Sequence, residues 1–101
     1  MDKWADYGIS AVRYNTEHTH IINVRVHVDN GDTMGSAKEW IRNEVVSAID
    51  KDQTFITIMK DSNGNWAKGQ DVHIVSINDV NYIRSDKNNL ASDNLENLTE
   101  F

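Results

Sequence analysis

The sequence contains no cysteine and no proline, and glycine occurs only five times in 101 residues. Without cysteine, the chain can form neither a disulfide framework nor a thiolate zinc site. Without proline or a low-complexity linker, no boundary between domains is indicated. The few glycines form no phosphate-binding loop, and we expect no cofactor. We therefore predict a single domain over residues 1–101 with an ordinary hydrophobic core.

Long apolar runs and clustered basic residues are also missing. No run approaches the roughly 20 apolar residues of a transmembrane helix, and Met1–Asp6 lack the features of a signal peptide, so we predict a cytoplasmic protein. The chain has ten Lys and Arg residues and sixteen Asp and Glu residues, which gives a net charge of −6. Phosphate backbones attract clustered basic side chains, so nucleic acid and membranes are poor candidates as partners.

Strand patterns dominate the first third of the chain. Gly8–Tyr14 reads as a strand whose apolar phase slips, which predicts a β-bulge. Between residues 22 and 28, apolar and polar residues alternate with a period of two, which is typical of a strand with one buried face. We expect four aliphatic side chains of this strand to face the core: Ile22, Val24, Val26 and Val28. Their neighbours are expected to face water: Asn23, Arg25 and His27.

One helix is predicted, and its start is ambiguous. Its apolar stripe consists of Ile41, Val45, Val46 and Ile49. Ser36 followed by Glu39 resembles a capping box, which would start the helix early. The alternative, which we favour, is a short strand over 37–41 and a helix that begins near Arg42.

The remainder of the chain predicts a second group of strands. Residues 54–59 are β-branched and aromatic, which favours a central strand, and residues 61–65 read as a hairpin turn. Residues 71–77 and 80–84 form a hairpin about Asn78–Asp79. The polar tail over 85–101 is expected to dock on the core through Leu90, Leu95, Leu98 and Phe101. The predicted fold class is α+β, with a mostly antiparallel sheet of about five strands and one helix packed on one face.

Several segments resemble an uncharacterised bacterial family, the domain-of-unknown-function family 3892. They are Ala11–Tyr14, Val24–His27, Trp66 with Lys68–Gly69, Val72–Val75, Tyr82–Asp86 and Asp93–Phe101. The resemblance spans nearly the whole chain and implies a complete domain, but no established activity. The family favours Ser or Thr where this chain has Ile41, which implies a weaker helix cap, and proline where it has Thr99.

Three histidines form the metal hypothesis. In an extended segment, residues two apart project to the same side, so His18 and His20 could bind one ion, with His27 as a third ligand. Imidazole suits zinc, nickel or copper. The alternative is that these histidines are ordinary polar residues of a turn and a strand.

A second candidate site binds an anion. Arg25, His27, His73 and Arg84 lie in predicted strands, and arginine on a sheet face can bind a carboxylate or phosphate through two parallel hydrogen bonds. Alternatively, these side chains pair with acids on neighbouring strands or cover the sheet with their stems. Trp66 could contact a partner protein, whereas both Trp66 and Trp40 could instead close the end of a small core.

Catalytic patterns are weak. Residues 61–65 resemble the start of a calcium loop, but the sixth and twelfth positions are Trp66 and Val72 instead of glycine and glutamate. No serine lies in a nucleophile elbow. We therefore favour a non-enzymatic binding module that occupies a partner protein or a small anionic ligand, for example as an inhibitor encoded by a phage or mobile element. The alternatives are a histidine-based metal-dependent enzyme and an oligomeric structural protein.

Overall fold

The computed structural model describes residues 4–17, 20–31, 33–85, 95 and 98–101. Over these ranges the chain forms seven strands and one helix. In chain order they are β1 (Tyr7–Tyr14), β2 (Ile21–Val28), β3 (Lys38–Ile41), α1 (Arg42–Asp50), β4 (Phe55–Lys60), β5 (Trp66–Ile77), β6 (Val80–Arg84) and β7 (Thr99–Glu100). Within the described part of the chain, no helix has the length and apolar character that crossing a membrane requires.

The strands form one sheet in the order β3-β2-β1-β4-β5-β6. All neighbours in this order are antiparallel except β1 and β4, and β7 also pairs with β1 in parallel. The α+β class and the mostly antiparallel sheet are therefore confirmed. The sheet exceeds five strands because the edge strand β3 and the two-residue β7 also join it.

Two irregularities shape the pairing of β1 with β2. Ile9 pairs with Val26 and Ala11 with Arg25, so Ser10 is an extra residue on β1, and the predicted bulge is confirmed. A second shift between Arg13 and Tyr14 leaves an extra residue, Ile22, on β2.

The second shift corrects the predicted inward row of β2. An extra residue reverses the alternation, so Ile21 is buried whereas Ile22 is 47% exposed. Val24 and Val26 are buried as predicted, but Val28, at the end of the strand, is 44% exposed. His27, which was expected to face water, is only 6% exposed, because the second face of the sheet is also covered there.

The helix begins at Arg42, as favoured by the sequence, and buries Val45 and Ala48. Ile41 is the N-cap residue and is 50% exposed, so it does not belong to the buried stripe. Its side chain cannot accept a hydrogen bond, and only the reverse contact is made: the Ile41 N–H donates to Glu44 Oε1 at 3.1 Å. The helix start therefore carries half of a capping box.

Apolar side chains cover both faces of the sheet. The main core lies on the helix side and includes Ile9, Val12, Ile21, Val24, Val26, Val45, Ala48, Phe55, Val72, Ile83 and Leu95. Trp40 closes its edge, with ring centroids 5.0 Å from Tyr7 and 5.8 Å from Phe55. A smaller core on the other face contains Ala5, Ile56 and Ile58, with Trp4, Met34 and Trp66 packed against it. The central strand β4 therefore contributes to both cores.

Strand β5 is five residues longer at its start than predicted, because residues 66–70 also belong to it. A register shift lies opposite Thr57, where the Gln70 N–H donates to Thr57 Oγ1 at 2.8 Å. A Cβ at Gly69 would lie 2.1 Å from Thr57 Oγ1 and 2.6 Å from the Thr57 carbonyl oxygen. Only glycine allows so close an approach of the two strands.

The predicted hairpin turn between β5 and β6 is confirmed. Asn78 and Asp79 have φ values of 52° and 67°, as a two-residue type I′ turn requires. Beyond β6, Leu95 is buried in the main core, and Phe101 donates its N–H to the Val12 carbonyl at 2.9 Å. Leu90, the other predicted anchor of the tail, lies outside the described residues.

Candidate ligand-binding site

The face of the sheet that turns away from α1 contains a cavity of about 440 Å³. We call it the tryptophan pocket. It is lined by Trp4, Asp29, Gly31, Thr33, Met34, Gly64, Asn65 and Trp66. The two indole rings and Met34 are half-buried, whereas Thr33, Gly64 and Asn65 are exposed at its rim. The pocket thus combines apolar walls with a polar rim.

Asp29 builds one side of the pocket. Its carboxylate accepts the N–H groups of Trp4 at 2.8 Å, Ala5 at 3.3 Å and Gly31 at 2.8 Å, and the residue is 2% exposed. An ionised carboxylate is an acceptor only, and three N–H donors suit that form. Asp29 also forms an isolated antiparallel bridge with Met34. The carboxylate of Asp29 therefore positions Trp4, and its backbone pairing holds Met34 beside it.

The hairpin turn between β4 and β5 builds the opposite side. Asp61 Oδ1 accepts the N–H groups of Asn63 and Asn65, each at 2.9 Å. Gly64 adopts a φ of 81°, which favours glycine. The turn holds Gly64 and Asn65 at the rim and places Trp66 at the start of β5, so this side of the pocket is also fixed by the protein's own hydrogen bonds. The predicted hairpin turn is confirmed.

A chain of hydrogen bonds lies beside Trp66. His27 Nε2 lies 2.7 Å from Ser10 Oγ, and His27 Nδ1 lies 2.8 Å from the Gly35 carbonyl oxygen. Because a carbonyl oxygen only accepts, Nδ1 carries a proton and donates it to Gly35, and Nε2 shares the second hydrogen bond with the Ser10 hydroxyl. The His27 ring is 5.0 Å from the Trp66 ring, and the Lys60 ammonium lies 5.1 Å from the centroid of the same indole.

Serine and histidine in this geometry form a nucleophile–base pair, with the Gly35 carbonyl as the group that orients the base. The same contacts satisfy the polar atoms of a buried histidine. Ser10 occupies the bulge of β1, and bulges commonly re-aim a side chain. These contacts tie β1, β2 and the loop before β3 together.

Arg25 shares the sheet face of His27 but makes different contacts. Its guanidinium carbon lies 4.3 Å from the centroid of the Phe101 ring, and that of Arg13 lies 4.8 Å from the same ring. Arg13 Nε also donates to the Phe101 carbonyl oxygen at 2.9 Å. Both arginines are exposed, and Phe101 is the group that they share. Their contacts link β1 and β2 to the segment after β7.

His73 and Arg84 form the other half of the predicted anion site. They are register partners on β5 and β6, and Arg84 is 1% exposed. In the hydrogen-bonded order of the sheet, β1 and β4 separate them from Arg25 and His27. The sheet order therefore arranges the four residues as two pairs. His73 also lines a second cavity of about 450 Å³ together with Asp52 and Asp71, whose carboxylates disfavour an anion.

The three histidines of the metal hypothesis are not assembled into one site in the described structure. His18 lies outside the described residues. His20 precedes β2 and stacks on Tyr82 with a centroid distance of 5.6 Å, whereas His27 lies near the far end of β2. Seven residues of extended strand separate the two by about 23 Å. In the described part of the chain, no three His, Cys, Asp or Glu side chains form a group that could hold a metal ion.

Sequence reasoning identified Trp66 but missed Trp4, Asp29, Met34 and Ser10. Asp29 reads only as a turn residue, because its three N–H donors come from the following turn and from a segment more than 20 residues away. The phase slip at Ser10 predicted the bulge, but it gave no indication that Ser10 contacts a histidine on another strand. Besides Trp66, the tryptophan ahead of the first strand, Trp4, was the available signal for the pocket.

Together, the fold and the site define a small α+β domain with a pre-formed apolar pocket on the sheet face opposite its helix. The chain belongs to the family described as Protein of unknown function (DUF3892), which matches residues 8–99 and confirms the resemblance read from the sequence. Asp29, Met34 and Trp66 lie in the matched range, and Trp4 precedes it. No curated protein and no solved structure matches the chain.

Proposed function

We propose that this domain is a binding module whose ligand occupies the tryptophan pocket. The observation that carries the proposal is a cavity of about 440 Å³ walled by two indole rings and a methionine. Small-molecule sites in proteins typically have volumes of about 300–1,000 Å³, apolar and aromatic walls, and a few fixed polar groups. The polar residues that line this cavity are Asp29, Thr33 and Asn65.

Pre-organisation supports the same function. Asp29 fixes Trp4 from one side, and Asp61 fixes the turn before Trp66 from the other. A ligand that enters a pocket fixed in this way orders few side chains on binding, so more of the contact energy contributes to affinity. Tryptophan is also one of the residue types in which binding energy is most often concentrated.

The proposal is tested with indole, a flat and neutral probe, by NMR titration. The chain has three tryptophans, so its three indole N–H signals report separately. We expect indole to shift the signals of Trp4 and Trp66, and to leave that of Trp40, which packs against the main core on the other face of the sheet, unchanged. Equal shifts at all three tryptophans, or none, contradict the proposal.

A matched pair of methionine variants locates the binding. Met34 lines the pocket, whereas Met59 is 43% exposed on β4 and does not line it. We expect Met34→Ala to weaken indole binding about 5-fold or more, which corresponds to the loss of about 1 kcal/mol of apolar contact. Met59→Ala should leave the affinity within a factor of two. Native mass spectrometry of gently purified protein would then report any retained natural ligand.

Occupation of a partner protein is the other form of this function. An inhibitor encoded by a phage or mobile element and acting in the cytoplasm would use the same half-buried Trp66 as a contact. Co-purified protein bound by the wild type and lost in Trp66→Ala, with indole as a competitor, would support it. Binding of the partner that persists in the presence of saturating indole would contradict it.

The Ser10–His27 pair supports a second candidate function, that of a serine hydrolase. The Oγ–Nε2 distance of 2.7 Å and the orienting carbonyl at 2.8 Å are the distances that a nucleophile–base pair needs. Labelling with a fluorophosphonate probe tests it directly. Covalent labelling that is lost in both Ser10→Ala and His27→Gln would support a hydrolase, and absence of labelling in the wild type would exclude it.

A further inference from the structure

We infer that the ligand of the tryptophan pocket is a small organic cation with an alkylated ammonium group. This inference rests on the proposed function and names its ligand class. The faces of indole rings carry a negative quadrupole, and tryptophan attracts cations more strongly than the other aromatic residues. Two of the three tryptophans of the chain line this one pocket. The apolar side chains of the pocket would suffice to bind an apolar ligand. The case for a cation therefore depends on the charges around these side chains.

The first such charge is an ammonium supplied by the protein itself. The Nζ of Lys60 lies 5.1 Å from the centroid of the Trp66 ring, within the range of a cation–π contact. Lys60 and Trp66 are register partners on β4 and β5, so the contact follows from the strand pairing. The Trp66 ring therefore already interacts with an alkylammonium group in the free protein.

The second charge belongs to Asp29, a residue that lines the same cavity, is 2% exposed and binds three backbone N–H groups through its carboxylate. A buried charge acts through a medium of lower dielectric constant than water, so its attraction for a cation in the cavity is weakly screened. Asp61 adds a further carboxylate in the turn beside the pocket. Over the whole chain the net charge of −6 favours the approach of cations over anions.

Size and shape favour an alkylated ammonium over a bare metal ion or a simple ammonium ion. A cavity of about 440 Å³ is much larger than an ion needs. Its walls are mostly carbon, whereas a small, strongly hydrated ion requires several oxygen ligands. A methylated ammonium carries its charge on an apolar surface, so it can contact Trp4, Met34 and Trp66 and remain near the carboxylate. Aromatic walls with an adjacent acid are well suited to such a group.

The experiment compares choline with 3,3-dimethylbutan-1-ol, which has the same shape and no charge. Both are titrated into the full chain, and the Trp4 and Trp66 indole signals are followed, with Trp40 as the internal reference. We expect choline to bind about 3- to 30-fold more tightly than the neutral alcohol, as a cation–π contribution predicts. Equal affinities, or tighter binding of the alcohol, would overturn the inference. In that case indole binding in the pocket would still support the proposed function, so the two failures are distinguishable.

Two lysine variants provide a second, independent readout. Lys60→Met keeps the length of the side chain and removes the ammonium that occupies Trp66, so we expect choline affinity to rise about 2- to 5-fold. Lys51→Met makes the same change of net charge at the end of α1 and serves as the control. An anionic ligand would show the opposite response to Lys60→Met. An equal response of the two variants, or weaker choline binding in Lys60→Met, would contradict a cation placed against Trp66.

Discussion

The start of α1 offers the sharpest test of how this sequence specifies its fold. Ile41 occupies the N-cap position with φ −83° and ψ 159°, the extended geometry that a capping residue needs, but it has no side-chain acceptor. Threonine at this position would place a hydroxyl where it can accept the N–H of Glu44. Glu44 already accepts the Ile41 N–H, so one substitution would complete the reciprocal pair.

The size of the effect follows from a comparison of two variants with the same shape. Both Ile41→Val and Ile41→Thr shorten a side chain that is already 50% exposed. The two variants have the same shape, and valine has a methyl group where threonine has a hydroxyl. Their difference therefore isolates the cap. We expect Ile41→Thr to exceed Ile41→Val in free energy of unfolding by about 1 kcal/mol, within a range of roughly 0.5–2 kcal/mol. For a domain of this size, 1 kcal/mol corresponds to a rise in Tm of about 4–8 °C.

Urea and thermal unfolding followed by circular dichroism measure this difference. If the hydroxyl acts with Glu44 as a unit, Glu44→Ala should cost more in the threonine variant than in the valine variant. Equal unfolding midpoints for Ile41→Thr and Ile41→Val would refute the reasoning. They would mean that the helix start does not depend on an N-cap acceptor, despite its geometry.

Three further predictions concern packing and the pocket, each measured by chemical unfolding. Gly69→Ala places a Cβ against the backbone of Thr57, so we expect a loss of at least about 1–3 kcal/mol in the free energy of unfolding, and a loss below 0.5 kcal/mol would contradict the close approach. Val45 is fully buried and Val80 is 43% exposed. Val45→Ala should therefore lower the free energy of unfolding by roughly 2 kcal/mol, and Val80→Ala by about 0.5 kcal/mol or less. Equal losses in the two variants would be inconsistent with this core. Asp29→Ala leaves three backbone N–H groups without their acceptor and should cost about 3 kcal/mol and abolish indole binding; retained binding would show that Asp29 does not hold the pocket together.

The sequence was most informative where the period of the hydrophobic pattern was unbroken. Val24 and Val26 are buried on the helix side as predicted, and the turn at Asn78–Asp79 has the positive φ values that its residues favour. At Ile22 the same pattern was misleading, because an extra residue in a strand reverses which face of the sheet the neighbouring side chains point to. In β1 the inserted residue broke the alternation and could be predicted, whereas in β2 the inserted Ile22 left the alternation unbroken.

The first part of β5 was not predicted because it contains a glycine. Gly69 and its polar neighbours read as a loop, because strand propensity describes a half-buried side chain and glycine has none. In the structure that position is in a strand because the strand pair needs room there, as its contact with Thr57 shows.

The pocket was the least predictable feature, since it is assembled from segments that are distant in the sequence. Trp4, Asp29, Met34 and Trp66 belong to three different parts of the chain, and hydrogen bonds to backbone N–H groups bring the first two together. Such bonds leave no trace in residue type, because any residue except proline can supply the N–H. The buried His27 was misplaced for a related reason: its acceptor and its neighbour Ser10 come from other segments.

The position of β1 in the sheet has a consequence for the order in which the protein can assemble. β1 pairs with β2 nearby, but Tyr7 also pairs with Phe55 and Ala11 with Thr99, which are 48 and 88 positions later (55 − 7 and 99 − 11). During synthesis, β1 therefore leaves the ribosome long before its neighbour β7 has been made. Parallel pairings across such separations require large loops to close, and domains rich in such non-local pairings fold in roughly milliseconds to seconds. Until Thr99 has been synthesised, the Ala11–Val12 part of that edge of β1 is available for pairing with other chains.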